Sequence, residues 1–172
     1  MKKIFIIFIF LLSQSNILLA NTGIAFIDLD KILKTSKPGS SILKQLSETN
    51  DQILKKIVKD EKDLNKKETK MISQKNLISE EEFQVSLSKL RIEINEYNEN
   101  RKKIINDYNK LKNDSTNKFL KMIKPILIKY SDEKLISIIM QKKNLIIGKT
   151  NLDITDDVIK LINTNIKEFK IN

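Results

Sequence analysis

The sequence contains no cysteine, no histidine and no tryptophan in 172 residues. Without the first two there is no disulfide, no thiol nucleophile, no usual zinc ligand set and no side chain that ordinarily titrates near neutral pH. No metal or cofactor is expected, and enzymatic function is disfavoured. Three glycines and two prolines allow few tight turns, which favours long helices over a many-stranded sandwich. Arginine is nearly absent: only Arg91 and Arg101 stand among 32 basic residues. Arginine is the bidentate ligand for phosphate and for guanine edges. The formal charge of +10 therefore reads as a general attraction to anionic partners, not as sequence-specific nucleic-acid recognition. A bias towards Lys, Asn and Ile is also what an AT-rich genome produces whatever the function, and no nucleic-acid partner is expected.

Met1-Lys2-Lys3 is followed by an apolar run over residues 4–12, a polar break at Ser13-Gln14-Ser15-Asn16, and Ile17-Leu18-Leu19-Ala20. That order is the order of a secretory signal peptide, with cleavage between Ala20 and Asn21. Leu18 at the −3 position departs from the small-residue pattern. The alternative is an uncleaved anchor, but the polar break leaves no 18-residue apolar span. Removing residues 1–20 takes away two lysines and leaves 30 basic against 22 acidic residues, a net charge of +8. Outside the cytosol there is no ATP, so any activity there must run on binding energy.

Residues 83–111 carry apolar side chains at alternating steps of four and three: Phe83, Leu87, Leu90, Ile94 and Tyr97, then Ile104, Tyr108 and Leu111 after a polar slot at Arg101. A seam kept up for four heptads fits a coiled coil. An earlier seam runs through Leu43, Leu46, Ile53, Ile57, Leu64 and Met71, with Asn50, Asp60 and Lys67 in the missing slots. Two such helices with a short break between them predict a long antiparallel hairpin. The first helix is expected over residues 41–72, capped by Ser40 or Ser41 after the break Lys37-Pro38-Gly39-Ser40. Ser79 followed by Glu80-Glu81-Glu82 is a capping box that fixes the start of the second helix. The second helix is expected to reach Lys124, with Pro125 bending or restarting it and residues 126–130 adding one or two turns. Tyr97 and Tyr108 belong to the seam, so no aromatic stacking platform for single strands remains. Capping accounts for the three glutamates without catalysis, and no catalytic residue is assigned.

Around the hairpin, residues 23–29 and 135–140 have strand composition, residues 144–147 look like a returning strand, and residues 30–35 suggest one helical turn. Asp153-Ile154-Thr155 supplies a helix cap, and Val158, Leu161, Ile162, Ile166 and Phe169 form the buried stripe of a terminal helix. The expected fold class is α+β and mostly helical: a coiled-coil arm over residues 41–130 on a small β-sheet base from residues 21–40 and 131–172. Three strands leave two unpaired edges and little to pack against, which predicts a homo-oligomer joined through the base. Two features of the arm stay open. The polar slots Asn50, Asp60, Lys67, Arg101 and Ser115 either fix register or leave the arm flexible. Val85 and Ile92 fall on the face opposite the seam, either as incidental surface residues or as part of a shallow apolar face that touches a client.

The order of elements, the tip Leu77-Ile78-Ser79-Glu80-Glu81-Glu82-Phe83, the Lys124-Pro125-Ile126 step and the ending Leu152-Asp153-Ile154-Thr155-Asp156-Asp157-Val158-Ile159-Lys160 resemble the Skp (OmpH-like) family of periplasmic chaperones. The resemblance covers the whole chain. It implies a homotrimer in which strands of three chains form a body and three hairpins hang from it around a cavity. It implies an ATP-independent holdase in the periplasm for unfolded outer-membrane β-barrel proteins. It also implies contact of basic residues with lipopolysaccharide or an anionic membrane surface, although no arginine cluster here matches such a site. The competing expectation from the residues is a structural or adaptor coiled coil of the cell envelope that binds one folded partner.

Overall fold

The computed structural model describes residues 23–171 apart from Glu168, and the expected leader with its cleavage point between Ala20 and Asn21 lies outside the described residues. The chain is mostly helical. Strand β1 (Gly23–Ile27) leads into a short helix α1 (Leu29–Thr35). Two long helices follow, α2 (Lys37–Gln74) and α3 (Glu80–Glu133), then strand β2 (Ile136–Gln141) and helix α4 (Thr155–Asn165). At 1.5 Å per residue α2 is about 57 Å long and α3 about 81 Å.

β1 ends two residues earlier than its composition suggests because Asp28 turns the chain. Its carboxylate accepts from the amide of Lys31 at 2.9 Å and caps α1. α2 starts before the expected break. Ser36 is its cap, with the hydroxyl oxygen accepting from the Gly39 amide at 3.2 Å, and Pro38 lies in the first turn. A proline there lacks an N–H that would have no partner anyway, so Lys37-Pro38-Gly39-Ser40 opens the helix instead of interrupting it. The register at the root shifts accordingly: Ile42 and Leu46 are buried, while Leu43 is exposed. At the far end the capping box is present in both halves, Ser79 Oγ accepting from the Glu82 amide and Glu82 Oε2 from the Ser79 amide, each at 3.2 Å. α3 then runs through Pro125 without a break and ends at Glu133, three residues beyond the turns expected over residues 126–130.

β1 and β2 pair in parallel, with Phe26 opposite Met140 and Ile27 opposite Gln141. Among the described residues these two strands are the whole sheet. The expected third strand over residues 144–147 is not formed: Lys142–Asn144 is a 3-10 turn, and Ile146 and Ile147 are 100% and 90% exposed. Branched side chains give that stretch strand composition, but within one chain they have nothing to pack against. The other side of β1 is met instead by an isolated parallel bridge between Phe26 and Asp153, where the Ile154 amide donates to the Phe26 carbonyl at 3.1 Å.

One core holds the base to the arm. Ile27, Ile32, Ile42, Leu46, Phe119, Ile123, Val158, Ile162 and Phe169 form a single buried cluster. In α4 the buried residues are Thr155, Val158 and Ile162, with Leu161 half-buried, and Ile166 just past its end is half-buried too. The helix stops at Asn165, so Phe169 is buried from beyond the helix and not from the expected helical stripe. Among the described residues no helix is long and apolar enough to cross a membrane.

Candidate functional site

The arm has three kinds of surface, set by how α2 and α3 face each other. On α3, Leu90 is buried, and Phe83, Leu87, Ile94, Tyr97, Ile104, Tyr108 and Leu111 are half-buried against α2. Tyr108 adds a polar tie, its hydroxyl donating to the Leu46 carbonyl at 3.2 Å. The polar slots behave differently from one another. Lys67 reaches across the hairpin to Glu93 at 2.5 Å. Asp60 is engaged within α2 by Lys56 at 2.5 Å. Arg101 is exposed, and Ser115 is buried close to the root, where its small side chain lets the helices approach. Buried residues are most numerous at the root, and the outer arm is held by the buried Leu90, half-buried contacts and one cross-helix ion pair. Exposed ion pairs of that kind contribute at most about 1 kcal/mol.

The outward faces carry apolar side chains. Val85 and Ile92 are 55% and 57% exposed, two turns apart on one side of α3. Sequence reasoning singled these out but missed Leu54 and Val58, one turn apart on α2, and Ile72, Leu77 and Ile105, all of them exposed. Leu77, at the hairpin tip, is 81% exposed. The signal for Leu54 and Val58 was present, because each directly follows a seam residue (Ile53, Ile57) and so lies about 100° round the helix from it.

The base has an apolar surface of its own. Ile24, Ile138, Met140, Leu135, Ile146 and Ile147 are all exposed. A groove of about 410 Å³ opens between α3 and β2, lined by Leu120, Ile123, Leu127, Ile128, Ile136 and Ile139 among others. Gln141 also lines this groove, and its side-chain carbonyl is buried without a hydrogen-bond partner among the described residues.

The Asp153-Ile154-Thr155-Asp156-Asp157 run is a structural staple and does not line the groove. The Asp153 carboxylate accepts from the Thr155 amide at 3.0 Å and from the Thr155 hydroxyl. The same hydroxyl oxygen accepts from the Asp28 amide at 2.9 Å, which ties the β1–α1 corner to the start of α4. Asp156 pairs with Lys31 at 2.6 Å, and Asp157 accepts from the Tyr130 hydroxyl at 3.2 Å. Burial opposes ionisation of Asp153, but the hydrogen bonds from Thr155 and Lys142 outweigh it and hold its pKa below the ordinary carboxylate value. Burial, with the Asp157 charge beside it, pushes the Tyr130 phenol up, and the Asp156 hydrogen bond raises Lys31. A carboxylate with a lowered folded pKa contributes stability above its unfolded pKa and loses it as pH falls through the folded value. The gap in melting temperature between the natural chain and Asp153→Asn should therefore be full at pH 6–7 and shrink below about pH 4. A gap that stays constant down to pH 2.5 would remove the Asp153 charge from the account. Among the described residues no group of His, Cys, Asp and Glu could hold a metal ion.

The sequence profile of the family described as outer membrane protein (OmpH-like) matches residues 23–162. No match is found among curated protein sequences. Among solved structures, a crystal structure from Caulobacter crescentus CB15, of a protein titled an OmpH-like outer membrane chaperone, superposes with a TM-score of 0.78 at 12% sequence identity. The superposition covers 87% of this chain and 89% of that one. At such low identity the likeness is one of fold.

Proposed function

The chain belongs to the OmpH-like family, and we propose that it is an ATP-independent holdase of the periplasm that keeps unfolded outer-membrane β-barrel proteins from aggregating. The observation that carries this reading is the distribution of apolar surface along the arm. Val85, Ile92, Leu54, Val58 and Leu77 stand exposed and scattered among lysines instead of forming one deep pocket. Such a surface offers many weak contacts and no single specific one, which suits a chain without a fixed shape. The net charge of +8 that remains once residues 1–20 are removed attracts acidic unfolded chains over a distance, and the apolar contacts then retain them. The same lysines would give weak contact with an anionic membrane surface or lipopolysaccharide.

In this reading residues 41–130 are the working arm, and residues 21–40 and 131–172 the base through which three copies join after the leader is removed. The exposed Ile24, Ile138, Ile146 and Ile147, the open groove beside β2 and the unsatisfied Gln141 carbonyl favour a base covered by further copies of the chain. A closed ring would pair the free strand edges and cover these side chains together.

The test dilutes a barrel protein from urea into buffer with and without this protein and no nucleotide, while sedimentation gives the mass of the assembly. A trimer that suppresses light scattering is the expected result. A monomer without effect would overturn the reading, and tight binding of one folded partner alone would turn it towards an envelope adaptor. Within the same assay, the double substitution Val85→Ser with Ile92→Ser should leave stability within about 0.5 kcal/mol, as exposed sites do, yet weaken client capture. A large fall in melting temperature would instead place both residues in a core.

A further inference from the structure

The chain continues past α4, and what it does there is not explained by a holding surface. From Ile166, in extended conformation, it runs back to the level where the arm leaves the base. Phe169 is buried there in the cluster that contains Ile42 and Leu46 of α2 and Phe119 and Ile123 of α3. Its carbonyl accepts from Ser41 Oγ at 3.2 Å and from Gln45 Nε2 at 2.7 Å. The Gln45 carbonyl oxygen in turn accepts from the Ile171 amide at 3.2 Å. One glutamine side chain thus grips the segment's backbone at two alternate residues, much as a neighbouring strand would. From the other arm helix, the Lys118 ammonium lies 5.0 Å from the centroid of the Phe169 ring.

We propose that the end of the chain after α4, through Phe169 and Ile171, forms a strap that clamps the roots of both arm helices and so sets the splay of the arm. The lever is long. From Leu46 to Gln74, α2 projects about 42 Å beyond the clamp, so a rotation of about 10° at the root displaces the tip by about 7 Å. Beyond the root the seam is half-buried apart from Leu90. The strap contacts sit at the fulcrum, where a small loss of restraint has the largest effect at the tip. Resting on the holdase reading, the strap then governs how large a client the arm accommodates. Gln45 acts here as a positioning residue and touches no client.

The natural absence of cysteine makes the test clean. Spin labels at Asn76→Cys on the tip and Lys160→Cys on α4, in chains diluted with an excess of unlabelled protein, report the intrachain distance from tip to base. Gln45→Ala should broaden that distribution by several ångströms and Phe169→Ala further, while Lys66→Ala, out on the arm, leaves it unchanged. Hydrogen exchange should quicken at residues 42–49 and 115–123 with β1 and β2 still protected. An unchanged distance distribution in Gln45→Ala, or a loss of protection spread evenly over base and arm, would overturn the strap. If Phe169→Ala does not fold, Gln45→Ala still decides the matter. Neither readout involves a client, so failure of the holdase reading would appear in the aggregation assay and not here.

Discussion

Replacing Phe119 with alanine should cost about 3–5 kcal/mol of stability, the range for truncating a buried phenylalanine. Phe119 is the largest fully buried side chain among the described residues. It projects from α3 into a cluster shared with α1, α2, α4 and the Phe169 segment. A cluster drawn from so many elements cannot close uniformly around the space the ring would leave. The loss would be a large part of the total for a domain whose stability is of the order of 5–15 kcal/mol. Leu87→Ala, in the half-buried seam of the outer arm, should cost much less, about 1 kcal/mol. Urea denaturation of the two variants beside the natural chain provides the comparison. If Phe119→Ala were no worse than Leu87→Ala, the idea that the root carries the stability of the molecule would fail.

Gly39→Ala should destabilise by about 2–4 kcal/mol, combining overpacking with loss of a helix cap. In an ordinary helix the same change stabilises by up to about 1 kcal/mol, because alanine has the higher helix propensity. Here the added methyl would stand 2.4 Å from the Leu33 carbonyl oxygen, 2.8 Å from the Leu33 Cα and 2.7 Å from Ser36 Oγ. The two closest approaches to Leu33 are to backbone, which cannot swing aside as a side chain can. Relief requires α1 and α2 to separate, and that pulls the Gly39 amide from the Ser36 hydroxyl that caps α2. A thermal melt reads the sign directly, and a rise in melting temperature would show that the α1–α2 corner yields more easily than its contacts suggest.

Gly39 also shows where the sequence could be read and where it could not. Lys37-Pro38-Gly39-Ser40 has the residues of a turn and equally those of a first helical turn after a serine cap. What decides between the two is the packing of Gly39 on Leu33, a contact with no sequence signature. The hairpin itself was legible because its signals are local: steps of three and four at Phe83, Leu87 and Leu90, and the Ser79–Glu82 box, which needs only three residues of separation. Pro125 bears on one hydrogen bond only, and a helix that packs into the core at Phe119 and Ile123 continues past it without restarting. The stretch at residues 144–147 was assigned by composition, which records what a side chain prefers and not whether the same chain supplies a partner. Phe169 was placed on a helix by extending a periodicity past the point where the backbone turns extended. For the candidate site, position opposite the seam points to Val85 and Ile92 and position one residue after it points to Leu54 and Val58, whereas Leu77, in the turn at the tip, carries no such signal.

The parallel pairing of β1 with β2 has a consequence for how the molecule assembles. The two strands lie more than a hundred residues apart in sequence, and closing a loop of that length in a disordered chain is slow. The intervening residues shorten the search. Once the 75–79 turn forms and α2 zips against α3, residue 37 is carried back along α3 towards the segment that leads into β2, and the strands need only a short local search. Destabilising the outer seam, for example at Leu90, should therefore slow folding of the base. The arm that reaches away from the base in the finished protein is, while the chain is folding, the device that brings the ends of the base together.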